Sequence, residues 1–414
     1  MKNGRKKIKS LYPEGVVNPL LNQVQKERAK EIIAAITSQA RELERPLTLM
    51  EVCGTHTVAI ARGGIRELLP ANIKLLSGPG CPVCVTDTVD LDAVIDLAMR
   101  PEVIIATYGD LVRVPGSQSC LQEKRGEGAR DQVVYSGLDA LQLAEQNPDS
   151  EVVMIGIGFE TTAPATAVVV EQARQRGLGN FSVLSLHKVV PPALRALLTD
   201  PEVKIDALIN PGHVCTILGS EPFRFVAEEF KRPCVITGFE PIDILEAIWL
   251  ILQQYRSKKW QVDIQYRRAV RPEGNPIARE YLDRFFQPNP ARWRGLGVIP
   301  ESGLTLRSEF ADWDAAQKLG VVLSSTDAMV ELPEDAGDKA EIGTGINLGD
   351  NKDNRQRCIC GAILKGQKLP VDCLSFGQAC TPLRPVGPCM VSSEGACAAY
   401  YRFGLVKSGR DIVS

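Results

Sequence analysis

Apolar positions alternate between two spacings from residue 25 to residue 258. Short continuous apolar runs, which favour buried strands, are followed by stretches in which apolar residues recur three or four positions apart, as on an amphipathic helix. The predicted helices are 25–43, 58–69 and 87–99, and the predicted strands are 47–52, 73–76, 103–106, 152–157, 207–209 and 235–236. This alternation predicts an α/β fold of parallel sheets with crossover helices.

The chain after residue 258 has a different pattern. It predicts a helix over 276–286 and a strand and turn over 298–304. The segment 331–357 is acidic, rich in glycine and poor in large apolar residues, which indicates a mobile loop. Residues 1–20 lack periodicity and indicate an extended arm. We therefore expect a first α/β domain over 21–150, a second over 151–258 and a C-terminal domain over 259–414.

Composition narrows the class of protein. A chain of 414 residues with 44% apolar content is long enough for several hydrophobic cores. A net charge of -2 predicts neither nucleic acid nor an anionic membrane as a partner. No apolar run reaches the roughly 20 residues that span a bilayer, and the basic N-terminus lacks the apolar core of a signal peptide. We expect a cytoplasmic protein, in which cysteines serve as ligands, redox thiols or small buried residues.

Unusual polar motifs begin where the predicted strands stop. They are 53–57 (CGTHT), 78–84 (GPGCPVC), 158–164 (GFETTAP), 210–213 (NPGH) and 237–241 (TGFEP). In open parallel sheets, ligands bind outside the carboxyl ends of the strands, so these motifs predict a site at that edge.

The motif cysteines suggest thiol chemistry. Cys81 and Cys84 have the spacing of a pair that forms a disulfide or binds one metal, although a turn with two small buried thiols is the alternative. Cys53 and His56 are too few for a closed metal site, which leaves a nucleophile, a redox thiol, a half-site or a plain buried cysteine. Glu160 and Thr161 place a carboxylate and a hydroxyl at the site mouth, or form a capping turn.

Six of the twelve cysteines lie between residues 358 and 397. Four thiolates suffice for an iron-sulfur cluster or for a tetrahedral zinc ion, and two thiols then remain. The absence of paired C-x-x-C knuckles in this segment favours a cluster. The isolated Cys120, Cys215 and Cys234 are expected to be structural, and His187 to be a near-core histidine.

Together these motifs resemble those of the HypD family of hydrogenase maturation factors. The matching segments are 53–57, 78–84, 158–164, 211–214 and 387–395, and the resemblance spans most of the chain from about residue 45 to residue 405. It implies an α/β fold with two open, mostly parallel, Rossmann-like sheets and a C-terminal domain with a [4Fe-4S] cluster. It also implies maturation of [NiFe] hydrogenases, as a cofactor-assembly scaffold with redox activity rather than a conventional turnover enzyme.

The resemblance implies a role for each site residue. Cluster ligands would be Cys358, Cys373, Cys380 and Cys397, while Cys360 and Cys389 would form a redox pair; Cys358 and Cys360 can exchange roles in an alternative partition. Cys53 would bind the iron of a transient Fe(CN)2CO group, shared with a small HypC-type partner, and cyanide would come from a HypE-type partner. His56, Glu160 and Thr161 would orient groups or handle protons.

Electrons would pass through the cluster and the pairs Cys360/Cys389 and Cys81/Cys84. Because thiol-disulfide exchange needs direct approach, we predict that the C-terminal segment folds back against the first domain. Two alternatives use the same residues: a self-contained iron-sulfur thiol-disulfide oxidoreductase, and a zinc-stabilised interaction module.

Overall fold

The computed structural model describes residues 23–324 and 358–404. The predicted N-terminal arm and the predicted loop over 331–357 lie outside these ranges. The helices are α1 (Gln23–Ala40), α2 (Gly54–Arg62), α3 (Ile65–Leu68), α4 (Pro82–Val85), α5 (Thr88–Ala98), α6 (Leu121–Lys124), α7 (Gly137–Gln146), α8 (Ala163–Arg176), α9 (Val190–Thr199), α10 (Gly212–Leu218), α11 (Arg224–Glu228), α12 (Pro241–Ser257), α13 (Pro276–Phe285), α14 (Ala315–Leu319), α15 (Cys360–Leu364), α16 (Pro388–Val391) and α17 (Ala396–Arg402).

The strands are β1 (Leu47–Glu51), β2 (Ile73–Ser77), β3 (Val103–Thr107), β4 (Asp131–Val133), β5 (Glu151–Gly156), β6 (Phe181–Ser185), β7 (Ala207–Pro211), β8 (Cys234–Thr237), β9 (Val262–Ile264), β10 (Phe286–Trp293) and β11 (Gly297–Leu306). Short 3-10 turns occur at Leu111–Arg113, Arg125–Glu127, Glu221–Phe223, Ser308–Trp313 and Pro370–Asp372.

Two parallel sheets form the frame of the molecule. The first has five strands in the order β2-β1-β7-β8-β9, and the second has four in the order β4-β3-β5-β6. Every pairing within these sheets is parallel. The predicted α/β class with two mostly parallel sheets is therefore confirmed. A third, antiparallel pair joins β10 to β11.

The sheets do not follow chain order. β1 and β2 pair with β7–β9, which come more than a hundred residues later, while β3–β6 form the second sheet between them. The predicted boundary at residue 150 falls between β4 and β5, both of which lie in the second sheet. It therefore does not separate the two sheets.

The first sheet buries a different core on each face, because successive side chains of a strand point to opposite sides. Leu49, Ile209 and Val235 face the layer of α1 and α12. Met50, Leu208 and Ile236 face a second core, which includes five of the six cysteines of the C-terminal segment. The cysteine segment is thus packed against the sheet as part of its hydrophobic core.

The C-terminal segment returns to the start of the chain. Helix α17 packs on α2, which follows Cys53, and α16 packs on α4, which carries Cys84. The predicted fold-back is confirmed. Across the described ranges, no helix is both long and apolar enough to cross a bilayer.

Local differences from the predicted elements have identifiable causes. The helix predicted over 58–69 begins at Gly54 and is divided in two, because Gly64 adopts a left-handed φ of 61°. Strand β10 was not predicted since it contains Pro288 and Pro290, which remove ladder donors; its pairing with β11 shifts register at Asn289/Ala291.

Candidate functional site

Cys53 stands between β1 and α2. Its backbone is extended (φ -151°, ψ 126°), and its side chain does not cap the helix. Burial raises the pKa of the Cys53 thiol to about 12, and the charges of Glu394 and Glu51 act in the same direction, whereas the nearby backbone N–H groups of His56 and Thr55 lower it in part. The thiol therefore stays protonated at neutral pH until a bound cation stabilises the thiolate.

Glu51 lies directly beneath Cys53 and was not among the predicted site residues. It is fully buried, and its carboxylate accepts hydrogen bonds from the Cys53 N–H at 3.0 Å and from the Thr57 hydroxyl. Burial raises its pKa. The sequence feature that could have identified Glu51 is its place as the charged residue at the end of a mostly apolar strand.

The Cys53 and Cys81 loops touch because their strands are neighbours. Gly54 donates its N–H to the carbonyl of Gly80 at 2.9 Å. A Cβ on Gly80 would overlap the backbone of Cys53, so only glycine permits this approach. The two motifs, whose contacting glycines are 26 residues apart in the sequence, are therefore in direct contact inside the protein.

Cys81 and Cys84 form a disulfide, with their Cα atoms 5.2 Å apart. Cys81 is the N-cap of α4, and its sulfur accepts the N–H of Cys84 at 3.3 Å. Both side chains are buried. The structure thus places the pair as a bonded unit, while its redox role stays a prediction.

Cys360 and Cys389 form a second close thiol pair. Their sulfurs are 2.7 Å apart and both side chains are buried. Cys360 begins α15 and Cys389 lies in α16, the helix that packs on α4. The two predicted pairs therefore occupy adjacent helices of one core.

The other four cysteines of the segment line a single cavity. They are Cys358, Cys373, Cys380 and Cys397, and the rest of the wall includes Ser375, Phe376 and Cys389 of the close pair. In residues 23–324 and 358–404, no three His, Cys, Asp or Glu side chains converge enough to share one metal ion. A four-iron cluster gives each cysteine its own iron and so spaces its ligands more widely, and four thiols in a mostly apolar wall are a suitable donor set for such a group.

Glu160 is buried on the turn between β5 and α8. Its Oε1 accepts the Val190 N–H at 2.8 Å, whereas its Oε2 is buried without a partner. Burial raises the pKa of this carboxyl to about 7. Thr161 is half-buried on the same turn. Burial raises the pKa of the Cys215 thiol, and the charges of Cys234, Glu160 and Cys53 act in the same direction.

His56 turns away from the thiol of Cys53. Its Nε2 lies 3.0 Å from the carbonyl oxygen of Gly238, its Nδ1 has no partner, and its ring stacks on Phe239 at 4.8 Å. Burial lowers its pKa to about 4, so the ring is neutral. His213 also stacks on Phe239, at 3.8 Å, which joins the 53–57, 210–213 and 237–241 motifs.

Glu394 links the C-terminal segment to the Cys53 loop. The Thr55 hydroxyl donates to Glu394 Oε1 at 2.7 Å, and the Gly54 position leaves no room for a side chain against Glu394. The sequence showed Glu394 only within the 387–395 motif and gave no reason to place it beside Cys53.

Arg294, between β10 and β11, is a further residue that the sequence did not single out. Its guanidinium donates to Thr88 Oγ1 at 2.7 Å and to the Thr86 carbonyl at 2.9 Å, just after α4. Hydrogen bonding among the thiols and burial leave the pKa values of Cys358, Cys360 and Cys389 raised, and the charge of Arg294 acts in the opposite direction on all three. The Arg294 guanidinium therefore hydrogen-bonds to the chain just after Cys84, and its charge also affects the pKa of Cys360.

These features define an α/β protein with two parallel sheets, in which the Cys81–Cys84 disulfide and the Cys360/Cys389 pair share one buried core. The profile of the HypD family, described as the hydrogenase formation hypA family, matches residues 27–404. The chain belongs to this family.

Individual relatives agree with that assignment. The chain is 44% identical over 384 residues to the hydrogenase maturation factor HypD of Rhizobium leguminosarum bv. viciae, covering 91% of this chain and 93% of the relative. It is 40% identical over 382 residues to the factor of the same name from Escherichia coli (strain K12), covering 91% and 95%.

Proposed function

We propose that this protein acts in the maturation of [NiFe] hydrogenases, as the scaffold and redox factor on which an Fe(CN)2CO group is assembled. The observation that carries the proposal is the contact of the Cys53 loop with the Cys81 loop, whose disulfide shares one core with the Cys360/Cys389 pair, in a chain that belongs to the HypD family. The iron group is cargo in this scheme, and Cys53 is the residue that binds it.

The environment of Cys53 suits a soft, strong-field iron. The buried thiol becomes a good ligand only when a metal displaces its proton, and the nearby backbone N–H groups of His56 and Thr55 favour the resulting thiolate. One thiol leaves coordination positions open, so a HypC-type partner would supply a second thiolate. The carboxyl of Glu160, with its pKa near neutrality, suits transfer of protons released during assembly.

The four cysteines of the cavity would hold a [4Fe-4S] cluster, which supplies one-electron transfer when bound. The close Cys360/Cys389 pair would exchange with the Cys81–Cys84 disulfide across the contact between α16 and α4. Cyanide transfer from a HypE-type partner consumes electrons, and this arrangement delivers them close to the Cys53 loop.

Infrared spectroscopy of the complex with a HypC-type partner tests the proposal. We expect cyanide and carbonyl bands for the wild-type complex and their loss in Cys53→Ala. Cys120→Ala, which removes a buried thiol from the N-terminus of α6, is the matched control and should keep the bands. Bands that survive in Cys53→Ala would show that Cys53 is not the ligand.

The same variants separate the alternative functions. A self-contained thiol-disulfide oxidoreductase needs no Cys53, so its activity on a disulfide would persist in Cys53→Ala. Iron and sulfide analysis after anaerobic reconstitution tests the cluster: we expect about four of each per chain, and loss of the cluster in Cys373→Ala. Zinc in place of iron would support the interaction module.

A further inference from the structure

The surface around the cysteine cavity presents large apolar side chains to solvent. Leu383 is 90% exposed and Leu374 is 79% exposed, in a segment whose other leucines at 364 and 369 are buried or half-buried. Leu374 follows Cys373 directly, and Leu383 is three residues after Cys380. Exposed apolar side chains at such a place mark a contact surface.

The backbone holds these two leucines on neighbouring loops. Residues 376 and 380 pair across the first loop, and the Thr381–Arg384 turn closes the second with hydrogen bonds in both directions. Arg113, from the second sheet's side of the molecule, donates to the Pro382 carbonyl and fixes this turn. The leucines are therefore carried on ordered turns beside Cys373 and Cys380.

The segment that carries this surface has a net positive charge, unlike the whole chain. Residues 358–404 contain four cationic side chains and two acidic ones, a net charge of +2 against -2 for the chain, although Lys365 pairs with Asp200. Of the two acids, Glu394 is engaged by Thr55 in the interior, and Asp372 is exposed near Leu374 and accepts the Leu369 N–H. Arg384 and Arg113 are exposed beside Leu383. An apolar centre with a basic rim complements an acidic protein surface.

We infer that this surface, composed of Leu374, Leu383, Arg384 and Arg113, docks an acidic one-electron carrier protein that reduces the chain. The inference rests on the proposed function. Reduction of a Cys360–Cys389 disulfide takes two electrons and two protons and yields two thiols, so a one-electron carrier is oxidised twice per disulfide. A carrier docked here approaches Cys373, the half-buried cavity cysteine on the same loop as Leu374.

A reduced plant-type [2Fe-2S] ferredoxin, which is acidic, serves as the probe with anaerobically reconstituted full-length protein. We measure the Kd for oxidised ferredoxin by calorimetry and the rate of Cys360/Cys389 thiol formation by alkylation and mass spectrometry. Leu374→Ser with Leu383→Ser should weaken binding at least about tenfold, since two central apolar contacts are lost. Arg384→Glu should weaken binding and flatten its dependence on salt.

Controls separate docking from folding and from the proposed function. Ile277→Ser, at a 66% exposed apolar position on α13, should leave the Kd unchanged. Dithionite, which needs no docking surface, should reduce every variant at the wild-type rate, with unchanged iron content. Equal ferredoxin binding by the leucine variant and the wild type overturns the inference alone.

Two other results would also overturn it. A wild-type dimer in light scattering that dissociates in the leucine variant would mean that a second copy covers the surface. Failure of dithionite to produce Cys360 and Cys389 thiols in the wild type would remove the proposed redox function and this inference together.

Discussion

Glu160 gives the most direct physical test of the buried site. Its pKa is raised from 4.5 to about 7 because burial disfavours the carboxylate. At 1.36 kcal/mol per pKa unit, this shift corresponds to about 3 kcal/mol. This free energy is the cost of ionising Glu160 inside the folded protein. The cost arises because one carboxylate oxygen accepts a single hydrogen bond and the other has no donor.

The sign of the pH dependence follows from the direction of the shift. The folded protein binds the Glu160 proton more tightly than the unfolded chain, so its contribution to stability is fully present below pH 4.5 and is lost as the pH rises to about 7. Glu160→Gln keeps the shape and the acceptor for Val190 N–H but cannot ionise. The stability of the variant relative to wild type should therefore rise by about 3 kcal/mol between pH 4.5 and 7 and stay constant above.

Urea unfolding of both proteins at several pH values measures this difference. His56 and His187 also titrate on unfolding, because burial lowers their pKa values to about 4 and about 3, but their effect is common to both proteins and cancels. The exposed Glu309→Gln is the control and should show no such slope. A difference between Glu160→Gln and wild type that does not vary with pH would refute this account of Glu160.

Two further predictions concern the contacts around Cys53. Gly80→Ala should destabilise the fold by more than about 2 kcal/mol, because its Cβ would overlap the Cys53 backbone. Gly126→Ala, at a position with open space around the Cβ, is the control in thermal unfolding. Equal melting temperatures of the two variants would contradict the close contact at Gly80. Thr55→Val should cost about 1 kcal/mol by removing the hydrogen bond to Glu394 and should speed hydrogen exchange in α17. Unchanged exchange there would show that this bond does not hold the segment.

The sequence predicted six strands of the two parallel sheets and the edge at which the motifs lie. Apolar runs located β1, β2, β3, β5, β7 and β8 to within two residues at each end, and the five motifs stand at the carboxyl ends of β1, β2, β5, β7 and β8. Those are local properties. Which strands pair is not local: nothing in the run 103–106 distinguishes a neighbour at 151–156 from one at 73–77. For that reason the boundary at 150 did not separate the sheets.

The sequence also could not predict the direction in which each side chain points. The spacing of Cys53 and His56 suggested cooperation, but the imidazole hydrogen-bonds to Gly238, which the fold brings from 182 residues away. Glu394 reaches Thr55 over 339 residues. The motifs therefore indicated which functional groups each site contains, whereas the hydrogen-bond partners of those groups depend on the tertiary structure.

The assembly of the site from three distant parts of the chain explains why its thiols are buried. The Cys53 and Cys81 loops belong to adjacent strands of the first sheet, Arg294 comes from the β10–β11 hairpin, and the C-terminal helices close over both. Burial disfavours thiolates and so suppresses stray oxidation or alkylation. Exchange between the pairs nevertheless requires a thiolate, and Arg294 supplies positive charge on the Cys360 and Cys389 side. In the proposed relay, the same contacts that exclude solvent would confine thiol exchange to the interface between α4 and α16.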